Sequence, residues 1–231
     1  ARIAVAETPT YITILDKAAA RKKAKLEGGS SSAVATAASV LPETELLQPV
    51  AEGLEPLPPP DASGGILTAW DDREWACTSV CRANFSLFCS FESRASSLAF
   101  FISNVYGPCE ATDKPIFLEE ISSIGRSLDG PWAILGDFNF VLRPNERSNA
   151  NFNAPEAAAF SATINSLQLQ ELPLLGRAFT WSNQQEVPTL VRLDRALVNL
   201  SWSSTFPDST TSFIPRSTSD HVPIILSAAT N

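Results

Sequence analysis

His221 is the only histidine in this chain of 231 residues, so imidazole chemistry is confined to one position. The four cysteines, Cys77, Cys81, Cys89 and Cys109, form no C-x-x-C pair and have no histidine near them. That spacing argues against zinc and reads as buried or half-buried thiols of an intracellular protein. Basic residues are in deficit, 17 Lys+Arg against 25 Asp+Glu, for a formal net charge of -8. An acidic surface repels phosphate backbones, so strong non-specific binding of nucleic acid is not expected from charge alone. A metal held by carboxylates would reverse that sign locally. No apolar run approaches the length of a membrane span, and the N-terminal stretch has no signal-peptide core, so the expected location is nuclear or cytoplasmic. No internal repeat is visible.

A hydrophobic content of 44% suits one large α/β domain with a tail. Residues 1–62 read as a low-complexity tail or linker. They carry a short basic helix candidate, Asp16 to Leu26, a Gly-Gly-Ser-Ser-Ser break from Gly28 to Ser32, and prolines at 56, 58, 59 and 60. Residues 63–231 read as the globular part. Strands are expected at Gly64 to Trp70, Trp75 to Arg82, Phe85 to Glu92 and Leu98 to Val105, where β-branched and aromatic residues alternate or run together. Lys114 to Leu128 places Ile116, Phe117, Ile121, Ile124 and Leu128 at helical spacing. Pro155 opens a second helix with Phe160, Ile164 and Leu167 on its apolar face. Further strands are expected at Ala178 to Trp181, within Thr189 to Asn199, and at Val222 to Leu226. The pattern implies layered sheets flanked by helices.

The stretch with chemical character is Trp132 to Asn139. An apolar run rises to Gly136 and then delivers a carboxylate and an amide two positions apart. On an extended chain Asp137 and Asn139 point to one side while Phe138 turns inward, and Gly136 lets the backbone open just before them. Hydrolysis of a phosphodiester needs a group to orient or deprotonate water, donors for the phosphoryl oxygens, and carboxylates for a divalent ion. Asp137 suits the water and Asn139 the phosphate. His221 suits phosphate contact, with its tautomer fixed by a carboxylate for which Asp194 is the candidate.

Tyr106-Gly107-Pro108, Gly136-Asp137-Phe138-Asn139, Thr180-Trp181-Ser182-Asn183, Arg192-Leu193-Asp194-Arg195 and Ser219-Asp220-His221 stand in the order used by the endonuclease/exonuclease/phosphatase superfamily. More narrowly, with Ser63 to Leu67 and Arg147-Ser148-Asn149, residues 63 to 227 resemble the endonuclease domain of plant LINE-type (non-LTR) retrotransposons. The resemblance implies a two-sheet sandwich flanked by helices and Mg²⁺-dependent (or Mn²⁺-dependent) cleavage of DNA. In the parent element a reverse transcriptase domain follows. It also implies that Asp137 handles the water and Asn139 binds the phosphate. Tyr106 lies beside the scissile group, Asp194 orients His221, and Asp220 sits at the metal or behind a ligand.

The chain departs from the family at its start. The opening strand-helix-strand, with its Asn and its metal-binding Glu, is missing before Ser63. The nearest echo of the second element is Leu41-Pro42-Glu43-Thr44, where Glu43 would be the ligand. Without those central strands, neighbouring strands expose unpaired backbone groups and an apolar face. The fold is then either incomplete and marginal or rescued by the tail, with Tyr11 to Leu15 pairing as a substitute strand. Weakened or absent cleavage is expected. The alternatives are a non-catalytic degenerate or domesticated fragment and, further off, a phosphomonoesterase or inositol phosphatase of the same fold.

Overall fold

In the computed structural model the described residues are 2–5, 11–15, 66–215 and 219–228. Their strands are β1 (Arg2–Val5), β2 (Tyr11–Leu15), β3 (Leu67–Ala69), β4 (Trp75–Arg82), β5 (Ser86–Ser93), β6 (Ala99–Tyr106), β7 (Trp132–Asp137), β8 (Gln170–Glu171), β9 (Trp181–Ser182), β10 (Leu190–Val191), β11 (Asp194–Val198), β12 (Thr210–Phe213) and β13 (Ile224–Ala228). The helices are α1 (Lys114–Ser127), α2 (Ala154–Ser166) and α3 (Leu200–Thr205). One sheet runs β4-β5-β6-β7-β11-β8, a second β12-β13-β1-β2-β3, and β10-β9 form a small ribbon.

Period-two alternation builds the layers. On β7, Ala133 and Leu135 face one way, joining Phe100, Ile102, Ala196 and Val198 of neighbouring strands and Leu226 of the second sheet in one core. That core is the filling between the sheets. Trp132 and Ile134 face the other way, against Phe117 and Ile121 of α1 and Phe160 and Ile164 of α2. Being buried on both faces explains why β7 reads as an unbroken apolar run. The architecture is the two-sheet sandwich flanked by helices that the sequence implies.

Helix starts follow local chemistry. Asn153 caps α2 by accepting from the Glu156 amide, with Pro155 in the first turn. In α1 the buried stripe is Phe117, Leu118 and Ile121, while Ile116 is 53% exposed. The expectation that Ile116 joins the core fails because Phe117, Ile121, Ile124 and Leu128 already satisfy the 4-3-4 spacing. Ile116 lies one residue, about 100°, off that stripe. The last strand begins at Ile224, later than expected, because Asp220 to Pro223 are used in the loop that reaches the site.

Tyr11–Leu15 pairs antiparallel with β3, in the register Thr13↔Ala69 to Leu15↔Leu67. It is the substitute strand offered above as one outcome. An unexpected strand, Arg2–Val5, lies beside it and pairs in parallel with β13. Together they occupy the middle of the second sheet. Glu43, the basic stretch Asp16 to Leu26 and Ser63 to Gly65 lie outside the described residues.

Candidate active site

Three strands bring their functional residues into one row. Tyr106 at the end of β6 pairs with Asp137 at the end of β7, and Asp137 pairs with Asp194 at the start of β11. Counting by twos from Phe100, Ala133 and Ala196, all three side chains belong to the inter-sheet face. They emerge where the apolar filling ends. Here a cavity of about 410 Å³ opens, lined among others by Tyr106, Asp137, Asn139, Asp220 and His221.

Gly136 permits this. Its φ is 137°, and a Cβ there would stand 2.0 Å from the Val105 carbonyl oxygen. No L side chain fits so close an approach of β6 to β7. Gly107, whose Cβ would meet the Phe138 carbonyl at 2.1 Å, lets the next loop pass equally close. Its amide donates to the Asp137 carbonyl at 2.7 Å. Phe138 is fully buried, as expected.

Asn139 departs from the extended geometry the sequence suggests. It has φ 53°, in the left-handed region that Asn tolerates better than most residues. Its main-chain amide donates to Asp137 Oδ1 at 2.9 Å, and its Nδ2 donates to the Gly107 carbonyl at 2.7 Å and to Asp137 Oδ2 at 3.1 Å. Both side-chain amide hydrogens are thus engaged inside the protein. The expected donation from Asn139 to a phosphate oxygen has no hydrogen left for it in this arrangement. Asn139 shapes the turn and holds the Asp137 carboxylate.

His221 arrives from the second sheet. Its Nδ1 lies 2.9 Å from Asp194 Oδ2, and its Nε2 lies 3.9 Å from Asp137 Oδ2. A carboxylate only accepts, so the imidazole donates from Nδ1 and presents Nε2 to the Asp137 side. The proposed orienter and the lone histidine, 27 residues apart in sequence, meet as the motifs imply.

The segment Thr180 to Ser182 ties the start of β11 to the Asp220–Val222 loop. The Thr180 hydroxyl oxygen accepts from the Leu193 and Asp194 amides at 3.0 Å each. The Thr180 carbonyl accepts from Val222 N–H at 2.7 Å, and Ser182 N–H donates to the Asp220 carbonyl. The Trp181 indole donates to Asp220 Oδ2 at 3.1 Å. Asp220 lines the cavity with its Oδ2 held by that indole.

Behind the site, Arg195 points to the opposite face of β11, where it is buried against Glu146 and the half-buried Glu171. Burial pushes the Glu146 carboxyl up, but the Arg195 hydrogen bond and charge and the Leu142 and Arg143 amides outweigh it. The net direction is down from the usual value.

A divalent ion is tested by the donor set. Among the described residues no group of three or more His, Cys, Asp or Glu side chains could hold a metal ion. Asp137 is held by Asn139, Asp194 by His221 and Asp220 by Trp181. Of the carboxylates expected to serve such an ion, Asp220 lines the cavity together with Asp137, and Glu43 lies outside the described residues.

Sequence reasoning missed Lys114 and Glu156, which also line the cavity. Each opens an ordinary helix, and no local signal marks either one. Only the fold brings the two helix starts together.

No protein-family model and no curated protein sequence matches the chain. Solved structures do. The endonuclease domain of TRAS1, a telomere-specific non-LTR retrotransposon, superposes with a TM-score of 0.56 at 16% identity, over 71% of this chain and 73% of that one. A functionally unknown conserved protein from Enterococcus faecalis V583 gives 0.49 at 15% identity, over 73% of each chain. An endonuclease/exonuclease/phosphatase family protein from Bacteroides thetaiotaomicron gives 0.43 at 13% identity, over 68% of this chain and 66% of that one. The fold is of the endonuclease/exonuclease/phosphatase type. No helix among the described residues is long and apolar enough to cross a membrane.

Proposed function

We propose that this chain is a phosphodiester hydrolase acting on DNA, of retroelement-endonuclease descent, with slow turnover. The observation that carries the proposal is the Asp194-His221-Asp137 line. One imidazole is fixed by a carboxylate at 2.9 Å and faces a second carboxylate at 3.9 Å, and the imidazole and the second carboxylate both line the cavity.

The chemistry follows from that line. A phosphodiester oxygen seats against the Nε2–H of a His221 imidazolium, whose charge Asp194 balances from behind. Asp137, held by two hydrogen bonds from Asn139, takes a proton from the attacking water. The new oxygen–phosphorus bond forms as the bond to the departing oxygen breaks. Tyr106, next to Asp137 in the ladder, is the hydroxyl on this row able to return a proton to the leaving group. The net charge of -8 weakens capture of a polyanion.

The test is a substrate panel, with supercoiled plasmid, a phosphomonoester and an inositol phosphate offered side by side in Mg²⁺ and in Mn²⁺. Slow plasmid nicking without phosphate release from the monoesters supports the reading. Release from a monoester with intact plasmid overturns it in favour of a phosphomonoesterase, and silence on every substrate makes the chain a non-catalytic fragment.

A further inference from the structure

The turn that carries Asp137 and Asn139 takes a left-handed conformation at Asn139, and one of its carbonyls is met from outside the turn. The Asn139 backbone is left-handed, and its carbonyl is part-buried, where an unmatched acceptor is costly. The acceptor is met by Lys114, whose Nζ donates to Asn139 O at 3.0 Å. The same ammonium is ion-paired with Glu156 and stands 4.6 Å from the centre of the Phe140 ring. The Lys114 side chain is only 12% exposed and that of Glu156 27%, so the pair is more than a surface ornament.

The placement decides the role. Lys114 is the first residue of α1, and Glu156 lies in the first turn of α2. Both helices are anchored on the outer face of the six-stranded sheet through Phe117, Ile121, Phe160 and Ile164. One charge thus connects two helices to the Asn139 carbonyl just after β7. Phe140, one residue beyond that carbonyl, packs on both Phe117 and Phe160 and closes the triangle.

We infer that Lys114, tied to Glu156, is a positioning residue that holds the Asp137-Asn139 turn in its working geometry from the helix side. This rests on the phosphodiesterase reading of the cavity, because a held turn matters there through Asp137. Displacing the turn moves the proton acceptor relative to His221, and small displacements of that kind lower the rate of the chemical step more than they lower binding.

The experiment separates this inference from the functional reading. Hydrogen exchange at the Asn139 and Gly107 amides reports the turn directly, since they donate to the Asp137 side chain and carbonyl. In Lys114→Met, exchange at these two amides should accelerate by about tenfold or more while β5 and β6 amides keep their rates. Plasmid nicking should lose kcat with KM nearly unchanged, and Lys114→Arg should restore both readouts. Should Lys114→Met fail to fold, Glu156→Gln, which leaves the ammonium in place with a weaker tether, gives the same local acceleration to a smaller degree. Unchanged exchange at Asn139 and Gly107, or acceleration spread evenly over the sheet, overturns the inference. Wild-type protein that nicks nothing while the local exchange effect is present would refute the functional reading and leave the structural role of Lys114 standing.

Discussion

Replacing Arg195 by Met should cost the protein much of its stability, by an amount that depends on pH. The Arg195 guanidinium has no exposed surface and meets Glu146 and, at 2.7 Å, Glu171. Glu171 keeps Arg192 at 2.9 Å, so the residue left without a buried cation is Glu146, whose side chain is 8% exposed. Removing one partner of a buried pair costs about 3–5 kcal/mol, because the other charge stays desolvated. For a chain of this size that is a fall in Tm of about 6–20 °C. In the wild type the Glu146 carboxyl lies below its ordinary value of 4.5. Its stabilising contribution is therefore complete above that value and is lost as pH falls through the folded one. In Arg195→Met, burial, the largest influence on Glu146, is opposed only by the Leu142 and Arg143 amides and the exposed Arg143 at 3.9 Å, so the carboxyl moves up relative to the wild type and the variant gains on the wild type as pH falls from about 7 to about 5. Thermal unfolding by circular dichroism at these two pH values reads both effects. The double variant Arg195→Met/Glu146→Leu should recover most of the loss, since apolar replacement of a buried pair is often neutral. A single variant melting within about 2 °C of the wild type, or a deficit identical at both pH values, refutes the reasoning.

Three further outcomes are expected. Gly136→Ala must place a Cβ 2.0 Å from the Val105 carbonyl at φ 137°, so it should lose about 2–4 kcal/mol in denaturant unfolding and any nicking with it. Wild-type stability in that variant would contradict the close approach of β6 and β7. Deleting residues 1–15 removes β1 and β2 from between β13 and β3 and leaves both of those strands with bare edges. The melting midpoint should drop by about 10 °C or more, and an unchanged midpoint would show that the tail strands hold nothing. Asp194→Ala should abolish a strongly deshielded Nδ1 proton signal, which one histidine makes unambiguous in proton NMR, and a signal that survives would contradict the Asp194-His221 bond.

Much of the site was legible because its residues sit at the ends of strongly patterned strands. The apolar run Trp132 to Leu135 dictates a doubly buried strand, and Gly136-Asp137 is where that strand must stop. Asp194 and His221 are far apart in the chain, and their pairing followed from the order of motifs rather than from spacing. What the sequence could not show is how side chains spend their hydrogen bonds. The left-handed turn at Asn139 meets a lysine 25 residues away, and the Asn139 side-chain amide is engaged by Gly107 and Asp137. The burial of Arg195 beside the exposed-looking Arg192 is equally invisible locally, because strand alternation assigns a face but not which face carries the carboxylates. Arg2–Val5 was unreadable as a strand for a related reason: a four-residue segment has no periodicity to detect, and only its pairing with β13 defines it.

The most direct test of the central claim, that Asp194, His221 and Asp137 form one hydrolytic centre, is plasmid nicking by the wild type, His221→Ala and Asp137→Ala in parallel. Slow wild-type nicking that falls by about 10²-fold or more in each variant is the predicted result. Nicking that persists at the wild-type rate in either variant would contradict it.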